Sequence, residues 1–296
     1  MALRDWNPFS PSKPPDPPAV AAALADLERL KAERPWLANA CVSLGSILRA
    51  AFSDPVPEIW FEAEHDLLHN AWKSGVPAFR TGEKPPTLLA DDIRARGRAI
   101  LDTIRDENSH VKPLIKAIRE GVIDLSVWAN DVLGDPTISL DARAESLGID
   151  AALVRSVLRL AMLPSLEALS RRLAVPRAES VWTRGECPNC GSPPTMAESR
   201  GLEQRRRLRC GLCAADWEGE RLRCPFCDET DHRKLSFVAV EGEQDRFRIA
   251  LCDSCGGTLK VVATLAPISA PGLLVAELAT THLDQALSDV PEDGVL

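Results

Sequence analysis

The chain has 296 residues, with 35 Lys and Arg against 43 Asp and Glu, a length that bounds it at about two domains with ample material for a core. Its net charge of −8 argues against a broad polyanion-binding surface. No stretch approaches the roughly 20 apolar residues of a membrane-spanning helix, and Met1 to Pro18 lacks the apolar centre of an export signal. A cytoplasmic protein with reduced, metal-competent thiols and no membrane partner is therefore expected.

In chain order, residues 1–18 read as a Pro-rich leader without regular structure. Ala19 to Arg34 then places Val20, Leu24, Leu27 and Leu30 at three- and four-residue steps, predicting a helix with one apolar face that Pro35 stops. Further helices are predicted at about 36–52, 56–73, 87–106, 110–120, 122–132 and 150–173, broken at Pro55/Pro57, Gly75/Pro77, Pro85/Pro86, Gly134/Pro136 and Gly148. Short loops between amphipathic helices predict an antiparallel bundle over 19–176. A linker at about Ala174 to Gly185 follows, and Gly, Pro and β-branched residues then take over. Leu235 to Glu241 and Arg246 to Leu251 read as a hairpin around Gly242. Val261, Val262 and Leu265 read as a strand, and Leu273 to Leu287 as a final helix whose Leu274, Leu278 and Leu287 are expected to pack back on the protein, with a client-binding helix as the alternative. Residues 267–296 form this helix and an acidic tail.

Eight of the nine cysteines form four CxxC pairs, Cys187/Cys190, Cys210/Cys213, Cys224/Cys227 and Cys252/Cys255. Four soft thiolates are what tetrahedral zinc or iron takes, and the backbone of a CxxC knuckle can donate N–H groups to the sulfurs. The stretch reads as a duplication: CPxC, a polar excursion of 19 residues, then CxxC; after 10 residues, CPxC again, 24 residues, and CxxC. Sequential pairing into two side-by-side lobes, 184–219 and 220–266, follows more naturally than crossed pairing, which spacing alone leaves open along with disulfides. The expected architecture is multi-domain α+β: an N-terminal all-α helical bundle, two tandem rubredoxin-like or zinc-ribbon metal lobes and a C-terminal helix. Two metal ions, iron or zinc, are expected, each bound by four Cys. Gly191 and Gly256 follow their knuckles and permit tight turns, whereas Ala214 and Asp228 stand at the other two positions.

No catalytic residue is expected. Four thiolates close a coordination shell and leave no position to activate water, although iron there would permit electron transfer. His65 and His69 lie at i and i+4 with Asp66 and Glu64 nearby, but the HExxH form needs glutamate where Asp66 stands; solvated histidines are the plainer reading. Cys41 lies among apolar residues and reads as a buried inert thiol. Arg205, Arg206, Arg207 and Arg209, extended by Arg221 and Arg223, offer a basic strand for nucleic acid. Against it, residues 181–260 carry 13 basic and 13 acidic side chains, so these arginines are expected to pair with Glu203, Asp216, Glu218 and Glu220. Trp182 and Trp217 are expected to pack beside the sulfurs, with a client contact as the alternative.

The segment Val181-Trp182-Thr183-Arg184-Gly185-Glu186-Cys187-Pro188-Asn189-Cys190-Gly191-Ser192-Pro193-Pro194 resembles the opening motif of the metal region in the formate dehydrogenase accessory protein FdhE family. Leu208 to Cys213, Trp217, Cys224/Cys227 and Leu251 to Cys255 through Lys260 continue the likeness in order, and Leu147-Gly148-Ile149-Asp150 is similar to a family segment ahead of the lobes. The chain departs from the family pattern at Thr258 and at Ala276-Glu277, and contains no tyrosine. The resemblance implies a cytoplasmic maturation factor with a helical domain and two rubredoxin-like lobes. It also implies a protein client, the catalytic subunit of a respiratory formate dehydrogenase or related molybdoenzyme, bound before twin-arginine export. A zinc-ribbon nucleic-acid-binding protein and a rubredoxin-like electron carrier remain the alternatives.

Overall fold

Amphipathic spacing in the N-terminal half produces a helical layer: α1 (Pro17–Glu33), α2 (Ala38–Ala51), α3 (His65–Lys73), α4 (Ala90–Ile104), α5 (Val111–Arg119), α6 (Leu125–Gly134), α7 (Leu140–Ser146) and α8 (Ala151–Ala178). The computed structural model describes residues 17–53, 56, 61, 64–81, 85–104, 110–134 and 140–288. The Pro-rich leader up to Asp16, the acidic tail from Asp289 and most of the stretch before Glu64 in the helix predicted over 56–73 lie outside the described residues.

α8 is the spine. Its apolar residues run all round the helix, and Val154, Val157, Leu158, Ala161, Met162, Leu163, Leu166, Leu169 and Leu173 are all buried, the mark of a helix enclosed by its own protein. Asp150 caps its start by accepting from Leu153 N at 3.1 Å. The helix runs five residues past its predicted end at 173, through Pro176, because that ring is buried and its packing offsets the lost hydrogen bond. α4 crosses α2 and α8 at the centre of the helical core, and α7 has no counterpart among the predicted helices.

The C-terminal half carries β1 (Pro194–Arg200), β2 (Arg205–Cys210), β3 (Asp216–Glu218), β4 (Leu235–Val238), β5 (Phe247–Cys252) and β6 (Thr258–Thr264). The two CxxC units share one mixed six-stranded sheet of order β3-β2-β1-β6-β5-β4. β1 and β6 join them as a parallel pair, Met196 opposite Lys260 through Arg200 opposite Thr264, while the other neighbours are antiparallel. The predicted hairpin forms as β4 and β5, with Gly242 at φ +83° in its turn.

Two helices, α9 (Ala270–Ala279) and α10 (Thr281–Ser288), replace the single predicted one. Ser269 caps α9, its hydroxyl accepting from Gly272 N at 3.2 Å, with Pro271 in the first turn. Thr280 ends it: the side chain is fully buried and its hydroxyl returns to the Ala276 carbonyl at 2.7 Å. α9 packs on α1, and Leu273 and Leu283 close a small core with Met196, Phe247, Ile249 and Val262 of the sheet.

Candidate metal centres

The eight paired cysteines gather into two groups, Cys187/Cys190/Cys210/Cys213 and Cys224/Cys227/Cys252/Cys255, with all sulfurs of a group within 4.8 Å of one another. Across the knuckles, Cys187 to Cys213 is 3.5 Å, Cys190 to Cys210 3.4 Å, and Cys224 to Cys255 and Cys227 to Cys252 3.7 Å each. A tetrahedron with metal–sulfur bonds of about 2.3 Å has edges of about 3.8 Å, whereas a disulfide bond is about 2.05 Å. The spacing therefore fits four thiolates around one ion. Burial pushes the Cys187 thiol well up, so thiolates enclosed there need a cation beside them.

All four knuckles have the same backbone. The residue after each second cysteine returns its N–H to the carbonyl of the first: Gly191 to Cys187 at 2.9 Å, Ala214 to Cys210 at 3.1 Å, Asp228 to Cys224 at 3.0 Å and Gly256 to Cys252 at 2.8 Å. All four sit at positive φ, +77°, +55°, +61° and +67°. Within the knuckles, Cys213, Phe226 and Gly257 N–H groups point at the sulfurs of Cys210, Cys224 and Cys255, each at 3.4 Å.

The two centres differ in burial. In the first, Cys187, Cys210 and Cys213 are inaccessible and Cys190 is 9% exposed. Its CPxC loop is set into the helical layer: Trp72 Nε1 of α3 donates to the Pro188 carbonyl at 2.8 Å, and the backbone N–H groups of Ala78 and Phe79 donate to Pro188 and Asn189. Asn189, fully buried, donates to Ser170 Oγ at 3.0 Å, and α8 reaches the lobe again through Arg159 to Gly211 O and Arg177 to Asp216 O. In the second centre, Cys227 and Cys255 face solvent, beside the exposed rings of Phe226 and Phe237.

Trp217 is buried in the first lobe and Trp182 half-buried, donating to Glu186 O at 2.9 Å. Most of the basic strand is neutralised. Arg205 pairs with Glu203, Arg207 with Asp216, and Arg223 with Glu220 and Asp228. Arg209 is buried against Glu198, a fully buried carboxylate that also meets Arg200, Thr264 and Ile268 N and so ties β1 to the segment before α9. Sequence reasoning missed Glu198, Trp72 and Asn189; a charged residue amid an apolar strand was the available signal for the first. His69 is engaged by Ser180 Oγ at 2.7 Å and His65 lies 3.6 Å from Glu179. Among the described residues the two four-cysteine groups are the metal-competent clusters found, and neither histidine belongs to one. Cys41 is buried, and that burial, with Glu28, pushes its thiol up.

No protein-family model matches the chain. It is 38% identical over 107 residues to the Protein FdhE homolog of Stutzerimonas stutzeri, 35% of this chain and 34% of that one. It is 35% identical over 88 residues to the Protein FdhE of Escherichia coli, covering 29% and 28%, and 37% identical over 122 residues to the homolog of Pseudomonas aeruginosa, covering 38% of each. The matched segments thus span about a third of the length of these curated relatives. The crystal structure of the FdhE protein from Pseudomonas aeruginosa superposes with a TM-score of 0.57 over 94% of this chain and 92% of that one, at 24% identity. The chain is thus similar in sequence to these FdhE proteins over about a third of its length, and it shares the fold of the Pseudomonas aeruginosa protein.

Proposed function

We propose that this chain is a cytoplasmic accessory factor that binds the catalytic subunit of a formate dehydrogenase, or of a related molybdoenzyme, during its assembly. The observation that carries this reading is the pair of four-cysteine clusters at tetrahedral spacing in a chain with FdhE likeness. Cys187, Cys190, Cys210 and Cys213 would hold one zinc or iron ion, and Cys224, Cys227, Cys252 and Cys255 the other. Such an ion cross-links chain segments that have little core of their own and so supplies folding energy. With four thiolates per ion no coordination position is left for water or substrate, which supports a non-catalytic role. No helix among the described residues is long and apolar enough to cross a membrane.

The test is co-purification of the catalytic subunit from the native host, together with restoration of formate dehydrogenase activity in a strain lacking the factor. Full-length protein is expected to do both, and the Cys187→Ala variant neither. Full rescue by residues 1–180 alone would contradict the proposal. A second reading, a rubredoxin-like electron carrier, draws on the solvent-facing Cys227 and Cys255. It requires iron at the second centre and a reversible one-electron wave in voltammetry.

A further inference from the structure

A cleft of about 600 Å³ lies between the end of α8, the 180–185 segment, the β2–β3 hairpin and the second lobe's first knuckle. Its size falls within the roughly 300–1,000 Å³ of ordinary binding pockets. In a chain of net charge −8, its walls bear five guanidinium groups, Arg177, Arg184, Arg206, Arg207 and Arg223, against the carboxylates of Glu218, Glu220 and Asp228. Not all five are spent. Arg206 donates only to neutral acceptors, the carbonyls of Glu220 at 3.0 Å and Arg223 at 2.8 Å. Arg177 gives its closest hydrogen bond, 2.8 Å, to the Asp216 carbonyl, its carboxylate lying 4.0 Å away. Trp217, also in the wall, has an indole N–H with no acceptor. Buried donors in this state favour an incoming anion.

The cleft does not stand alone. Across Arg206, Arg223, Cys224 and Pro225 it adjoins an apolar groove lined by Leu222, Phe226 and Phe237, which are 57%, 40% and 53% exposed. A basic cleft beside an apolar groove matches a chain segment that alternates acidic and apolar side chains. A polyphosphate has no apolar groups to fill that groove.

We propose that this cleft and groove are the client-docking surface, taking an extended acidic-and-apolar peptide segment of the protein partner, with its carboxylates at Arg206, Arg177 and Arg184. The proposal rests on the accessory reading above and gives that reading its contact surface. Arg184, at 53% side-chain exposure and paired only with Glu186, is the fold-sparing probe.

The experiment measures anisotropy of a short labelled peptide of alternating glutamate and leucine, titrated with the metal-loaded full chain, beside its glutamine counterpart. The acidic peptide is expected to bind at least about tenfold more tightly than the glutamine one, and Arg206→Gln and Arg184→Glu each to weaken it about tenfold, with metal content unchanged. If Arg206→Gln loses metal, Arg184→Glu carries the comparison. Equal binding of the two peptides, indifference to Arg184→Glu, displacement by inorganic phosphate at matched charge, or tighter binding of a single-stranded oligonucleotide would each overturn the proposal. Co-purification of the client with the Arg184→Glu/Arg206→Gln chain at undiminished yield would overturn this surface while leaving the accessory reading standing. Failure of the unsubstituted chain to capture the client would remove that reading first.

Discussion

At the residue scale, the four knuckle turns make an internal comparison. Gly256 at φ +67° has open space where a Cβ would stand, so Gly256→Ala isolates the backbone cost of a left-handed L-residue, about 1 kcal/mol. Ala214 at φ +55° already bears that cost, and Ala214→Gly is expected to return a similar amount. Denaturant unfolding of the metal-loaded chain should move in opposite directions for the two; a matched direction would mean that the knuckles are not equivalent. In the helical half, Asp124 accepts from Ser126 N at 2.9 Å at the start of α6 and pairs with Arg94. The Arg94 hydrogen bond, helped by Ser126 and opposed by burial, holds its carboxyl far below the usual range. A depressed folded pKa contributes stability that is whole above the unfolded value near 4 and lost as pH falls through the folded one. Asp124→Ala should therefore cost about 1 kcal/mol at neutral pH, and the gap to the unsubstituted chain should close on acidification below about pH 4. A gap that persists in acid would assign the loss to packing instead.

At the scale of elements, α1 to α6 and α8 were legible because their apolar residues keep a 3.6-residue period and Pro or Gly punctuates them, while the short α7 was not. Two boundaries were not. Pro176 is a breaker by rule but is held inside α8 by its burial, and Thr280 has no breaker's chemistry yet ends α9 through its hydroxyl bond to Ala276. The cysteine groups were legible because metal-ligand spacing is a local property of the chain. The parallel β1–β6 seam was not, since pairing across the whole duplication leaves no local mark. The asymmetry of the centres belongs with it: Trp72, Ala78 and Phe79 bury the first CPxC loop from more than a hundred residues away, and nothing near Cys187 or Cys224 signals the difference. That asymmetry has a consequence for exchange. With Cys227 and Cys255 solvent-facing and the first group enclosed, a chelator should strip one equivalent of metal per chain quickly, from the second centre, and the other only on unfolding. Cys227→Ser should abolish the fast phase. A single phase releasing both equivalents would contradict the assignment.

At the scale of the whole molecule, α8 couples the parts. It forms the spine of the helical layer, reaches the first lobe through Arg159 and Arg177, and meets α9 through the pairing of Arg159 with Glu277. A second clasp joins Arg34 after α1, Glu243 of the second lobe and His282 of α10. The continuous sheet then makes the lobes one body, so that disturbance at the enclosed centre should propagate to the helical layer. The most direct measurement is elemental analysis of chain prepared without air, followed by circular dichroism after complete metal removal. Two zinc or iron ions per chain, and loss of the sheet signal once they are withdrawn, are expected. A chain free of transition metals, with eight titratable thiols and an unchanged spectrum, would contradict the reading of the four-cysteine clusters as the ions' home.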